Sequence, residues 1–174
     1  GQPVSITCPE DAQRLGICVI HQERTLVPSF SGVENAYLGR PYPTRFGLVD
    51  WNAMTRRVQE TAERLGMTLN LRCPAGQLSP PQQTELEIVR AMLWDCRLLI
   101  LDEPTASLTD REAERLFALL HRLREQGTAI LYVSHRLDEI FRLTDRITIL
   151  RNGQLVETTD TNQLTQSQLI ARMT

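Results

Sequence analysis

The chain is 174 residues long, 41% hydrophobic and 23% charged, with a formal charge of -2 at neutral pH. This suits one ordinary globular core with room for a subdomain, and it offers no basic field to hold nucleic acid phosphates or anionic lipid. All 19 basic residues are Arg, because the sequence contains no Lys, so Schiff-base chemistry and every motif that requires a Lys are excluded.

Cys8, Cys18, Cys73 and Cys96 are scattered, with no C-x-x-C pair and no His at ligand spacing. They read as buried free thiols in a reducing compartment rather than as zinc ligands or a disulfide framework. No apolar run approaches the roughly 18 to 20 residues that span a bilayer, and residues 1–20 lack a signal-peptide layout, so the expectation is a soluble, cytoplasmic chain. The opening segment has no initiator Met and no full-length element before Pro9, as if it continued something longer, with a true N-terminus as the other reading.

Cys18–Ile20 reads as a short buried strand, followed by a polar, Pro/Ser/Gly-rich connection from His21 to Gly32, the kind of strand-end loop that often carries function. Residues 50–65 place Trp51, Met54, Val58, Ala62 and Leu65 at three-to-four spacing, one face of an amphipathic helix. A second helix is expected over Pro80–Leu93, leading into the apolar run Leu98–Leu101, short enough for a buried parallel strand. Thr109 and Glu112 form a capping box for a helix whose stripe is Ala113, Leu116, Phe117, Leu120 and Leu123, with Gly127 as its stop. Then come a strand at Ala129–Val133, a short helix at Arg136–Leu143, and a strand at Ile147–Leu150 ending at Asn152-Gly153. Thr165 and Gln168 cap a last helix. Alternating strands and helices predict an α/β chain whose three late strands lie in one parallel sheet.

The sharpest chemical signal is LLILDEPTASLT, residues 98–109, which puts Asp102 and Glu103 at the carboxyl end of a buried strand, where open α/β sheets bind ligands. Two adjacent carboxylates there repel unless a cation or proton donor is near, which points to a divalent metal on Asp102 and a reacting water on Glu103. His135 follows the strand at Ala129–Val133 and could donate to a phosphate oxygen. Gln22 follows the first strand and could reach a metal or water with its amide. Each alone has a blander reading as a solvated or packed polar residue.

In combination, order and spacing, the pieces resemble an ABC ATPase. His21-Gln22-Glu23 is similar to the Q-loop, LLILDEP to Walker B, Ala106–Thr109 to the D-loop, and Ser134-His135 to the switch histidine. CPEDAQRLGICVIHQE, SGVENAYLGR and EPTASLT look most like ribose- and galactoside-type sugar importers. The resemblance implies a partial P-loop-NTPase parallel sheet with an α-helical signature subdomain, missing the Walker A strand and loop. It divides the chain at about residues 1–31 (core strand and Q-loop), 32–93 (helical subdomain) and 94–174 (Walker B, D-loop and H-loop core).

By the same resemblance the cofactors are ATP and Mg2+. Asp102 coordinates the metal, Gln22 senses metal and γ-phosphate, Glu103 activates water and His135 holds the γ-phosphate. Ser79, Gln82 and Ser107 face nucleotide. The implied partners are a second nucleotide-binding domain, a membrane permease docked through Gln22–Leu38 and, indirectly, a periplasmic or extracellular sugar-binding protein, with no nucleic acid. The implied location is the cytoplasmic face of the plasma membrane.

Two departures matter. The family's G-x-x-x-x-G-K-[S/T] phosphate loop needs a Lys, and none exists, so these residues alone are expected not to hydrolyse ATP. The family sheet puts the phosphate-loop strand between those at Ala129–Val133 and Ile147–Leu150; without it, unpaired edges favour self-association, strand exchange or a loose last strand. The signature, Leu-Ser-Gly-Gly-Gln in the family, is Leu78-Ser79-Pro80-Pro81-Gln82. Ser79 and Gln82 still suit a capping box, but Pro80 and Pro81 have no N–H to grip phosphate. One competing reading is a degenerate, non-catalytic cassette half that completes or regulates a partner's ATP site. Another, a DNA-repair cassette, would be expected to carry a coiled-coil or zinc insertion between Q-loop and signature, and none is present.

Overall fold

The structure, a computed structural model, describes residues 3–173. The chain divides into two compact units, the first ending at Leu131 and the second beginning at Tyr132.

In the first unit, α1 (Pro9–Arg14) opens on a proline, whose missing N–H costs nothing in a first turn. Gly16, at φ +76°, then turns the chain into β1 (Ile17–Ile20); a Cβ there would lie 2.9 Å from the Asp95 carbonyl, so only glycine fits. The connection expected to be irregular up to Gly32 ends in a short helix, α2 (Gly32–Ala36), begun by a Ser31/Glu34 capping box. A hairpin not evident from hydrophobic pattern follows, β2 (Thr44–Arg45) and β3 (Leu48–Val49), turning through Phe46 and Gly47, both with positive φ. α3 (Trp51–Arg64) starts where Asp50 accepts the Ala53 N–H at 2.9 Å. α4 (Pro80–Leu93) has the expected bounds, and its Ser79/Gln82 capping box forms.

β4 (Leu98–Asp102) lies parallel to β1, with Ile17 opposite Leu98 and Ile20 opposite Leu101. α5 (Asp110–Glu125) carries the expected Thr109/Glu112 capping box and leads to β5 (Ala129–Val133), giving the sheet order β1-β4-β5. Leu99 and Leu101 of β4 are fully buried, as are Met54 and Val58 of α3 and Leu86, Ile88 and Val89 of α4. Each such large aliphatic contributes about 1.5–3 kcal/mol by leaving water.

The second unit contains α6 (Leu137–Leu143), β6 (Arg146–Arg151), β7 (Gln154–Asp160) and α7 (Gln166–Met173). Here the expected third parallel strand is corrected. Ile147–Leu150 lies in β6, which pairs antiparallel with β7 in a sheet of its own, Arg146 opposite Asp160 and Arg151 opposite Gln154. Asn152 and Gly153, both at positive φ, make the mirror-image turn that favours a hairpin. β7 escaped the pattern reading because QLVETTD is largely polar and mostly exposed. Ile147 and Ile149 face a small core with Leu164 and Leu169, against which Leu137, Ile140 and Phe141 pack. Thr165 donates to Gln168 as expected, and its hydroxyl accepts the Gln168 N–H. Among the described residues no helix is long and apolar enough to cross a membrane.

Candidate functional site

The parallel register of β1 and β4 sets the geometry. Because Ile20 faces Leu101, the segment after β1 and the end of β4 emerge from the same sheet edge. There the Gln22 amide Nε2 donates to Glu103 Oε2 at 3.1 Å, joining residues 81 positions apart in sequence. Asp102 is the last residue of β4 and half-buried. Glu103 takes φ +47°, a left-handed conformation that costs a non-glycine residue on the order of 1 kcal/mol. Strain of this kind persists only where neighbouring contacts hold it. A turn closes directly behind it, the Ala106 N–H donating to the Glu103 carbonyl at 3.2 Å and the Leu108 N–H to the Thr105 carbonyl at 3.0 Å.

Further contacts tie the segment after β1 to α4. Arg24 Nη2 donates to the Ser107 hydroxyl at 2.9 Å and reaches the Pro80 carbonyl at 3.4 Å. Thr25 donates its N–H and hydroxyl to Glu87 at 3.0 and 3.1 Å, and Arg90 donates to the Thr25 hydroxyl at 2.7 Å. Glu87 is only 2% exposed, so these donors are what make a buried carboxylate tolerable. Burial pulls the Arg90 guanidinium down, and the Glu87 carboxylate pushes it back up.

Asn35 of α2 is wholly buried and braces the same loop. Its Oδ1 accepts the Val27 N–H at 2.8 Å, and its Nδ2 donates to the carbonyls of Val27, Phe30 and Ser31 at 3.1 Å each. At the start of α4, both the N–H and the hydroxyl of Ser79 donate to Gln82 Oε1, at 3.0 and 3.1 Å.

His135 belongs to the second unit, two residues after β5, and is exposed. The loop around it is pinned by Glu139, 1% exposed, which accepts from Tyr132 OH at 2.7 Å and Ser134 Oγ at 3.1 Å and pairs with Arg136 Nε at 3.2 Å. The Arg136 N–H closes the turn onto Ser134 Oγ at 3.0 Å.

The structure therefore joins Gln22 to Glu103, and Ser79 to Gln82, while Ser107 is held through Arg24. Arg24, Asn35, Glu87 and Glu139 were missed as supports of the site. The available signals were Glu87 inside the otherwise apolar face of α4 and Glu139 in the short helix after His135.

The ABC transporter family profile matches residues 2–106, more than half of the chain. The chain belongs to the ABC transporter family. Among curated ABC proteins it is 44% identical over 174 residues to a ribose import ATP-binding protein of Rubrobacter xylanophilus, covering 99% of this chain and 34% of that protein. It is 40% identical over 173 residues to one of Streptococcus agalactiae, covering 99% and 35%, and 48% identical over 157 residues to one of Chromobacterium violaceum, covering 90% and 31%. It thus spans about a third of the length of the relatives it matches.

Among solved structures, a nucleotide-free ATP-binding cassette from an ABC transporter superposes with TM-score 0.73 at 22% identity, covering 87% of this chain and 64% of that one. A dimeric cassette in a post-hydrolysis state superposes with TM-score 0.71 at 21% identity, covering 90% and 68%. These likenesses establish the fold, an ABC ATPase cassette in part.

Proposed function

We propose that this chain is part of the ATP-hydrolysing subunit of an ABC importer for a carbohydrate, working with a second nucleotide-binding domain and a membrane permease. The observation that supports the reading is the Gln22–Glu103 hydrogen bond at the shared end of β1 and β4, a carboxylate and an amide together at the kind of sheet edge where open α/β folds bind ligands. The relatives' names, ribose import ATP-binding proteins, supply the carbohydrate.

The donor chemistry fits Mg2+. With Nε2 donated to Glu103, Gln22 keeps Oε1 as a hard oxygen donor, Asp102 supplies a carboxylate at the end of β4, and Mg2+ is ordinarily held by one or two carboxylates plus phosphate and water. Bound there, the ion would neutralise phosphate charge. Glu103, oriented by Gln22, accepts the proton of the attacking water, and His135 donates to the γ-phosphate. Ser79, Gln82 and Ser107 face nucleotide from a second cassette. The permease docks on Gln22–Leu38, which places the protein on the cytoplasmic face of the membrane, with the sugar-binding protein reached only through the permease.

One observation favours a second reading, a cassette half that completes or regulates a partner's site. Pro80 and Pro81 offer no N–H, and both Ser79 donors are taken by Gln82. The test is ATP hydrolysis with Mg2+ by this chain and by one extended on its N-terminal side through a phosphate-binding loop. Activity only in the extended chain, lost in Glu103→Gln, supports the hydrolytic reading. Hydrolysis by the 174 residues alone would overturn the need for a phosphate-binding loop and the site as assigned, and inactivity of both favours the second reading. Pro80→Gly with Pro81→Gly should raise activity in the extended chain; no change sinks the idea that the signature is impaired.

A further inference from the structure

We infer that Arg24 is a positioning residue for the hydrolytic site, its guanidinium clamping the Glu103–Leu108 turn and the first turn of α4 to the segment that carries Gln22. The inference rests on the hydrolytic reading above.

Two segments are cross-linked twice. Gln22 meets Glu103 at 3.1 Å, and two residues further on Arg24 meets Ser107 at 2.9 Å. The bonds bracket the turn in which Glu103 holds φ +47°, with the Ala106 N–H on the Glu103 carbonyl and the Leu108 N–H on the Thr105 carbonyl between them. A left-handed residue keeps its conformation only while surrounding contacts hold it, and Gln22 bonds this turn at its Glu103 end. Arg24 holds the other.

Its second contact, 3.4 Å to the Pro80 carbonyl, adds α4 to the same body, and the Thr25–Glu87–Arg90 contacts fasten the next residue of the segment to that helix. Arg suits the position because its planar fork offers several donors in fixed geometry, whereas Lys offers a flexible point charge. Arg24 is exposed, and the carbonyl and hydroxyl it joins are both uncharged, so its role is geometric rather than ion pairing.

Two measurements test this. In the present chain, Arg24→Met should speed amide exchange at Ala106 and Leu108 about tenfold while Val58 in α3 keeps its wild-type rate, and Arg24→Lys, retaining a donor, should restore much of the protection. Unchanged exchange at Ala106 and Leu108 overturns the clamp while leaving the hydrolytic reading intact. In the extended chain, Arg24→Met should lower kcat about tenfold, equivalent to about 1.4 kcal/mol, with KM for ATP unmoved. Ser107→Ala, which also removes a nucleotide-facing hydroxyl, should lower kcat at least as much, and adding Arg24→Met to it should cost nothing further. Losses that multiply, or an unchanged kcat, refute the positioning role. An extended wild type that fails to hydrolyse ATP defeats the hydrolytic reading and this inference together.

Discussion

Replacing Asn35 by alanine should loosen the loop that carries Gln22 without touching any residue of the site. Asn35 makes four hydrogen bonds, but they are not equally replaceable. The Phe30 carbonyl also receives the Ala75 N–H at 2.8 Å, and the Ser31 carbonyl receives the Asn35 N–H at 3.0 Å. The Val27 carbonyl likewise receives the Phe30 N–H at 3.1 Å, so the loss falls on the Val27 N–H, which the Asn35 Oδ1 accepts at 2.8 Å. Each neutral bond is worth about 1 kcal/mol net, and more when a partly buried partner is orphaned, so Asn35→Ala should cost about 2–3 kcal/mol.

Asn35→Asp should cost more at neutral pH, because a buried carboxylate would face three carbonyls with a single donor. Its folded pKa would lie above the unfolded value, so the extra penalty is absent below about pH 4 and grows as pH rises through the range between the two. Urea unfolding followed by Trp51 and Trp94, both in the first unit, reads this directly. At unchanged slope the midpoint should fall by about 1 M or more. An alanine variant within about 0.5 kcal/mol of wild type would refute the reasoning, since surface substitutions without structural consequence fall in that range.

Phe46 stands at φ +54° at the tip of the β2–β3 hairpin and is 93% exposed, so Phe46→Asn relieves strain and gives up only the exposed stacking of Arg45 on its ring, 5.4 Å from the centroid; thermal melting should show a gain of about 0.5 kcal/mol. Hydrogen bonds from the Thr109 N–H and hydroxyl hold the Glu112 carboxyl below its ordinary range, so the stability it contributes is present above the unfolded pKa and fades as pH falls through the lower folded one. Glu112→Gln keeps an acceptor and should flatten that acid limb in pH-dependent melting. The contact with Cys18 and burial push the Cys96 thiol far up, so an alkylating reagent should modify exposed Cys8 readily and Cys96 only after unfolding, which mass mapping can follow. Early modification of Cys96 would count against the packing described here.

The helices α3, α4 and α5 were legible, because apolar positions recur at helical spacing in α3 and α5 and because Ser79 and Thr109 suit the caps of α4 and α5, although Trp51, expected on the apolar face of α3, is half exposed and Asp50 lies outside the helix as its cap. That Asp102 and Glu103 stand at the end of a strand was legible because four apolar residues precede them. The hairpin β2–β3 was not, since strands of two residues each show no alternation. Nor was β7, whose polar sequence is stabilised by pairing with β6 rather than by burying one face.

From sequence alone came the family resemblance, the absence of any Lys from these 174 residues and the Pro80-Pro81 pair at the start of α4, since all three depend on residue identity and order. Only the tertiary structure decided that β6 turns back on β7, that Glu103 is left-handed, and that Arg24, Asn35, Glu87 and Glu139 hold the loops around Gln22 and His135. Hydrogen bonds between residues as far apart as Arg24 and Ser107 depend on how strands register and helices pack, and no local spacing encodes that partnership.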